Sequence, residues 1–168
     1  MKTVLSRLKT LIENEKVEGG TLSYVKHVEI VHPEIALTTL SVANVPMVLL
    51  TPVSTREEWV ASGQKDSINV VEAHIVLLYR QRETSIMGDA LRPGGQGKGI
   101  IDIVEDLLSI VRGHRLSTDG SPYLSKPLDI GGVDYVREEW TDDGHLLVAT
   151  ITMECIFQFD QTTDPGNV

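Results

Sequence analysis

The sequence is poor in cysteine, in aromatic residues and in long apolar runs, and each shortage excludes a class of structure. Its single cysteine, Cys155, cannot form an internal disulfide or a zinc site built from several cysteines. Aromatic residues make up 5% of the 168 residues, so the core must be mainly aliphatic. No stretch of 18 apolar residues is present, which excludes a membrane-spanning helix. The start lacks the cleavage site of a signal peptide, so we expect folding in the cytoplasm.

Basic residues are scarce in the last quarter of the chain. Residues 127–168 hold nine acids and one base, a net charge of −8, whereas residues 1–126 hold 15 acids and 14 bases, a net charge of −1. A surface this negative repels nucleic acid and anionic membranes. With an isoelectric point near 4.9 and scattered bases, the chain does not have the pattern of a protein that reads DNA sequence.

Two segments have the apolar periodicity of amphipathic helices. Residues 2–16 carry apolar side chains at intervals of three and four. The same pattern recurs over 99–113, after a glycine-rich segment at 92–99, and Gly113 is a natural stop. With 41% apolar residues in 168, we predict one α+β domain over 1–160 and a loose tail over 161–168.

Apolar alternation and short apolar runs predict the strands. They cover residues 22–31, 45–51 and 68–81, and the polar segment 52–68 reads as a loop. An Asp-Gly turn near residue 143 predicts a C-terminal hairpin formed by residues 132–140 and 145–159. The order of elements predicts an α+β fold, with a mostly antiparallel sheet, two helices packed on one face and long loops.

No motif in the chain carries recognisable chemistry. The glycine-rich segment fails as a Walker loop, because Arg92 replaces its first glycine and Gly99 follows Lys98 where a hydroxyl residue is required. The five histidines lack the spacing of a zinc protease helix. Cys155 falls on the apolar side of its strand, where a buried thiol is expected. We therefore assign no catalytic, cofactor-binding or metal-binding residue and expect the protein not to be an enzyme.

Three residues are candidates for contacts with a partner. Trp59 lies in the polar segment and Trp140 lies beside the hairpin turn. Each is either a packing residue or, if exposed, an interface anchor, since tryptophan is favoured at binding hot spots. Lys98 precedes a predicted helix start, where free backbone amides favour an anionic partner group.

The order of the segments carries a resemblance to a known family. The N-terminal amphipathic helix is followed by YVKHV at 24–28 and VPMVLL at 45–50, then by the polar segment, a helix and a long-stranded hairpin. This order resembles the tail terminator proteins of long-tailed bacteriophages, also called neck or tail-completion proteins. The resemblance covers roughly residues 1–159 and includes no catalytic motif.

The resemblance implies a small α+β subunit of a ring, which is hexameric in such proteins. The ring caps the last layer of the tail tube, stops its growth and joins the tail to the DNA-filled head. Its partners would be the tail-tube protein on one side and a head-completion or connector protein on the other. Double-stranded DNA would pass through, with no cofactor and no membrane involved. The protein would be made in the host cytoplasm and reside in the virion.

The ring suggests a role for the acidic residues near the hairpin turn. We expect these side chains to make the lumen negative, so that DNA phosphates meet no cations and slide without binding. Charge alone does not place them there, since an outer rim is equally allowed. The residues are Glu138, Glu139, Asp142 and Asp143. Residues 52–68 and 85–99 are expected to be loops that contact neighbouring rings.

Three other functions stay open at the level of sequence. One is a head-completion protein or a tail-tube subunit of the same particle, although a tube subunit would polymerise and a terminator would stop at a closed ring. Another is a small cytosolic enzyme or ligand-binding protein that uses His27, His74 or the glycine-rich segment. The last is an adaptor that binds a protein partner through Trp59 or Trp140.

Overall fold

Helices and strands in the described part of the chain follow the predicted order. A computed structural model describes residues 1–32, 45–61, 64–79, 99–117, 121–141 and 144–160. In these residues the chain forms two helices and five strands. They are α1 (Lys2–Asn14), β1 (His27–Ile30), β2 (Met47–Ala61), β3 (Gln64–Tyr79), α2 (Ile100–Val111), β4 (Asp129–Thr141) and β5 (Gly144–Asp160). The predicted α+β class is confirmed.

The strands form one sheet in the order β1-β2-β3-β5-β4. Only the β1–β2 pair is parallel among the four pairs of this sheet, so the predicted mostly antiparallel arrangement is confirmed. The β3–β5 pair is the longest and runs from Gln64 opposite Asp160 to Tyr79 opposite His145. Because α2 and β4 lie between these two strands in sequence, their pairing holds the two halves of the chain together.

Both helices pack on one face of the sheet, as predicted. Their apolar stripes share a buried cluster with alternate residues of β2, β3 and β5, because alternate strand residues point to the same face. Gly113 follows α2 with a φ of +74°, the left-handed conformation that glycine adopts at helix ends. The helices contribute Val4, Leu5, Leu8, Ile12, Ile100, Ile103, Val104, Leu107 and Val111, and β5 contributes Ala149, Ile151, Met153 and Cys155.

The C-terminal hairpin is also confirmed. Strands β4 and β5 pair up to Thr141 opposite Gly144, on either side of the expected turn. The predicted alternation of β5 is confirmed as well, since the residues from Ala149 to Cys155 at every second position are buried. One face of this long strand therefore lies in the core.

The prediction of a loop over residues 52–68 is wrong. Strand β2 continues to Ala61 and β3 begins at Gln64, with Arg56 opposite Ile68 and Trp59 opposite Lys65. Every side chain from Val53 to Val60 is exposed, so no buried face imposes the apolar alternation by which a strand is recognised. Pairing with β3 determines the conformation instead.

Two further boundaries differ from the sequence predictions. Residues 21–24 form turns, not the start of a strand, and the amide of Val25 donates to the carbonyl oxygen of Leu22 at 2.9 Å. Strand β1 therefore begins at His27. Of the predicted loop at 85–99, only Gly99 is described, and it precedes α2 with its amide donating to Asp102 Oδ2 at 2.9 Å. The predicted tail at 161–168 lies outside the described residues.

Truncation of Leu8 to alanine tests the inward face of α1. Leu8 is fully buried, so its removal should lower the free energy of unfolding by about 2–5 kcal/mol. Val17 is 61% exposed, and Val17→Ala should change it by about 0.5 kcal/mol or less. Urea unfolding of both variants measures the difference. Equal losses would contradict the placement of Leu8 in the core.

Candidate interaction surface

Trp59 is a surface residue held in place by a cation. Its side chain is 64% exposed, the largest exposure among the large apolar residues of the described part. Lys65 Nζ lies 4.5 Å from the centre of the indole ring and 3.3 Å from Glu57 Oε2. An ammonium group over an indole face is attracted by the ring quadrupole. Of the two interpretations of Trp59, packing or exposure, the structure therefore shows exposure.

Trp59 is an exposed residue of the outer strand of the described sheet. We name residues 51–61 of β2 and 64–70 of β3 the β2–β3 arm. Among the described strands, β1 pairs with β2 up to Leu50, and β2 is the outer strand along the arm. Val60, which follows Trp59 directly, is 52% exposed, and Val53, six residues before Trp59, is 50% exposed. An exposed tryptophan is a candidate contact residue, since tryptophan is enriched at binding hot spots.

The edge of the arm is poorly suited to adding another strand. Pro52 lacks the amide that a neighbouring strand would need, and the β2–β3 register shifts both after Pro52 and after Trp59. Proteins use proline, bulges and charges to protect sheet edges from uncontrolled pairing. A partner of the arm would therefore bind through the side chains of Trp59, Val53 and Val60 more readily than through the backbone.

The other candidates lie at the far end of the sheet. Glu138 stands opposite Leu146 and Trp140 opposite His145, with a register shift between them that includes Glu139. The sequence predicts that these three residues lie at one end of the hairpin. The backbone pairing of β4 with β5 confirms that position. Asp142, Asp143 and Lys98 lie outside the described residues.

The two tryptophans are therefore separated by the length of the sheet. Trp59 is level with Lys65 near the start of β3, and Trp140 is level with Tyr79 at its end, through His145 of β5. Fourteen residues of strand at about 3.3 Å each separate Lys65 from Tyr79, a distance of roughly 45 Å. This separation depends on the register of β3 against β2 and β5, which no local pattern in the sequence specifies.

His27 and His74, the histidines of the enzyme alternative, lie on the sheet face opposite the helices. His74 Nδ1 lies 2.9 Å from Thr150 Oγ1 and its Nε2 lies 3.5 Å from Glu72 Oε2. His27 Nε2 lies 3.0 Å from Glu29 Oε2. These are contacts within a strand or between neighbouring strands, which stabilise sheets without any ligand.

The described residues contain no group of three or more histidine, cysteine or acidic side chains that could hold a metal ion. Neither α1 nor α2 has the length and apolar character needed to cross a bilayer.

The half-buried Tyr24 and the fully buried Cys155 are two polar groups in contact with the core. The hydroxyl of Tyr24 donates to Asp106 Oδ2 at 2.8 Å and joins the turn before β1 to α2. Burial, followed by this hydrogen bond, raises the pKa of Tyr24. Cys155 is fully buried, and burial raises the pKa of its thiol from 9.0 to about 12. The predicted apolar environment of Cys155 is thereby confirmed.

In comparison with known proteins, no family model matches the sequence and no curated protein matches it.

Cys155 should resist thiol reagents in the folded protein. Burial blocks access and keeps the thiol protonated at mildly alkaline pH, whereas in concentrated urea the same thiol should react fully. The folded pKa is raised, so the contribution of this thiol to stability is complete below pH 9.0 and is lost as the pH rises towards about 12. The chromophore released by a disulfide reagent measures the reaction. Fast labelling of the folded protein would show that Cys155 is accessible.

Proposed function

We propose that the protein is a tail terminator of a long-tailed bacteriophage. It would form a ring that caps the tail tube, stops its growth and joins the tail to the head while DNA passes through. The observation that supports this best is the position of two distinct candidate contact regions at opposite ends of one continuous sheet. These are the exposed Trp59 on the β2–β3 arm and the acidic end of the β4–β5 hairpin.

A ring between tube and head must make different contacts on its two sides. Strand β3 runs through the middle of the sheet and pairs along its whole length with β5, so the two ends are held at a constant separation. The β2–β3 arm at one end suits contact with the adjoining layer, and the β4–β5 hairpin lies at the other end of the sheet, away from that contact.

The arm has the properties of an assembly contact. Trp59 is exposed but oriented by Lys65, so less side-chain entropy is lost when a partner covers it. Val60, the next residue, adds exposed apolar area. Tryptophan is among the residues enriched at binding hot spots. We assign this contact to the tail tube.

The hairpin end has the charge needed to pass DNA without holding it. Four acids cluster within residues 138–143, on and next to the end of β4. An acidic lumen would neither pair with phosphates nor release their counterions, so DNA would gain no binding energy there. We assign Glu138, Glu139, Asp142 and Asp143 to the lumen, and an outer wall is the alternative that the experiment below separates.

Replacement of Trp59 by alanine tests the contact with the tube. The change removes an exposed side chain, so the free energy of unfolding should change by about 0.5 kcal/mol or less. The affinity of the ring for the end of the tube should fall at least tenfold, because a hot-spot residue is lost. Tubes grown from the tail-tube protein of the same genome would be measured by electron microscopy, with Val17→Ala as the exposed control. Uncapped tubes grow longer. Wild-type protein that neither closes into rings nor limits tube length would refute the proposal.

Reversal of two lumen acids tests the path of DNA. Rings carrying Glu138→Lys and Glu139→Lys should bind linear double-stranded DNA, with an affinity that falls as salt rises. Covalently closed circular DNA cannot thread a closed ring and should bind far less. The matched control reverses Glu57 and Glu58, an adjacent pair that is exposed on the arm. Equal binding of linear and circular DNA would place the acids on the outer wall.

A further inference from the structure

The segment between α2 and β4 contains a buried residue in an unusual backbone conformation. Leu116 has a φ of +49°, and its side chain is 1% exposed within the main core cluster. A bulky residue is strained in this left-handed region, which glycine and asparagine enter more readily. Strained residues persist only where the surrounding structure holds them. Contacts from other residues must therefore keep Leu116 in place.

Two side chains hold the peptide groups of Leu116. Its amide donates to His114 Nδ1 at 2.8 Å, and its carbonyl oxygen accepts from Arg7 Nη1 of α1 at 2.9 Å. A hydrogen bond from an amide to the side chain two residues earlier is the turn that asparagine and aspartate usually make. Here a histidine takes that role, and histidine, unlike asparagine, gains a proton near neutral pH.

The hydrogen bond from Leu116 fixes the protonation state of His114. A backbone amide can only donate, so Nδ1 must accept, and the single proton of the neutral ring lies on Nε2. In the charged ring both nitrogens carry protons and neither can accept. The Leu116 amide would then face a second donor. Protonation of His114 therefore removes one of the two hydrogen bonds that hold the strained residue.

The charged groups around His114 come from three elements. Arg7 of α1 lines the same cleft as His114, and the other described residues that line it are uncharged. Arg112 and Arg115 flank His114 in the chain. Asp129 begins β4, and the amide of the residue before it donates to the carbonyl oxygen of His114 at 2.8 Å. These groups are three cations and one acid, so a proton on His114 adds positive charge beside positive charge, which repels it.

Leu116 belongs to a series of contacts that reaches β5. The guanidinium carbon of Arg7 lies 3.9 Å from the centre of the Tyr123 ring. That ring meets Phe157 of β5 edge-on, with ring centres 4.8 Å apart. Release of Leu116 would loosen this series, because Arg7 would lose one of the contacts that position it. The effect of a proton on His114 would therefore extend from α1 to the sheet.

We propose that His114 is a pH-sensitive latch on the α2–β4 connection, by which we mean residues 112–117 and 121–128. The neutral ring keeps the connection closed against α1 and β5, and protonation opens it locally while the sheet stays paired. Histidine side chains ordinarily change charge between about pH 5 and 8, so the connection should be closed at pH 8 and loosened at pH 5. This behaviour does not depend on whether the protein caps tail tubes.

Hydrogen exchange of the α2–β4 connection tests the latch. Exchange rates of residues 112–117, divided by those of an unfolded peptide at the same pH, give their protection. That protection should fall about tenfold or more between pH 8 and pH 5, because a hydrogen bond is lost. The amides of β3 report global unfolding and should change less, since β3 pairs on both sides. Equal protection of the connection at both pH values would overturn the proposal.

Two matched variants separate the latch from a general effect of acid. His114→Asn keeps an acceptor for the Leu116 amide but takes up no proton, so its protection should be the same at pH 8 and pH 5. His27→Asn changes a histidine of β1 outside the connection and should keep the pH dependence of the wild type. A loss of protection at pH 5 in His114→Asn would show that another group carries the effect.

The position of the proton on His114 can be measured in the unmodified protein. Long-range nitrogen–proton correlation in NMR distinguishes the two neutral forms of the ring. At pH 8 the proton should lie on Nε2, because Nδ1 accepts from Leu116. A proton on Nδ1 at this pH would rule out the hydrogen bond and with it the latch.

Discussion

The pairing of β3 with β5 is the interaction on which the rest of the structure depends. It spans every residue of β3 and joins the first half of the chain to the last. The sheet that results offers one face of aliphatic side chains to α1 and α2, and an alternation of buried and polar residues places His74 and Glu72 on the other. With few aromatics, the core relies on the close packing of many aliphatic groups.

The charged segments follow the same sheet. Arg7 of α1 donates to the carbonyl oxygen of Leu116 in the segment after α2. The amide of Leu128 donates to the carbonyl oxygen of His114, so the exposed Asp129 at the start of β4 lies beside that segment. Exposed ion pairs contribute little to the stability of the chain, since both charges remain solvated.

The sequence predicts the helices and strands that have one buried face, because burial on one face makes apolar residues recur at a regular spacing. It does not predict a strand whose side chains are all exposed. The apolar stripes of α1 and α2 and the alternation from Ala149 to Cys155 were predicted because each element has one buried face. The strand from Val53 to Val60 was missed because all its side chains are exposed. Its conformation comes from hydrogen bonds to β3, which leave no trace in the pattern of polar and apolar residues.

The sequence by itself determined the fold class, the two helices, the hairpin at the C-terminus and the concentration of acid near that end, because these depend on local period and composition. Only the tertiary structure decided that Trp59 is exposed, that it lies at the opposite end of the sheet from Trp140, and that Arg7 meets Leu116. Those facts depend on strand register and on contacts between distant segments. Neither is encoded in any short stretch of residues.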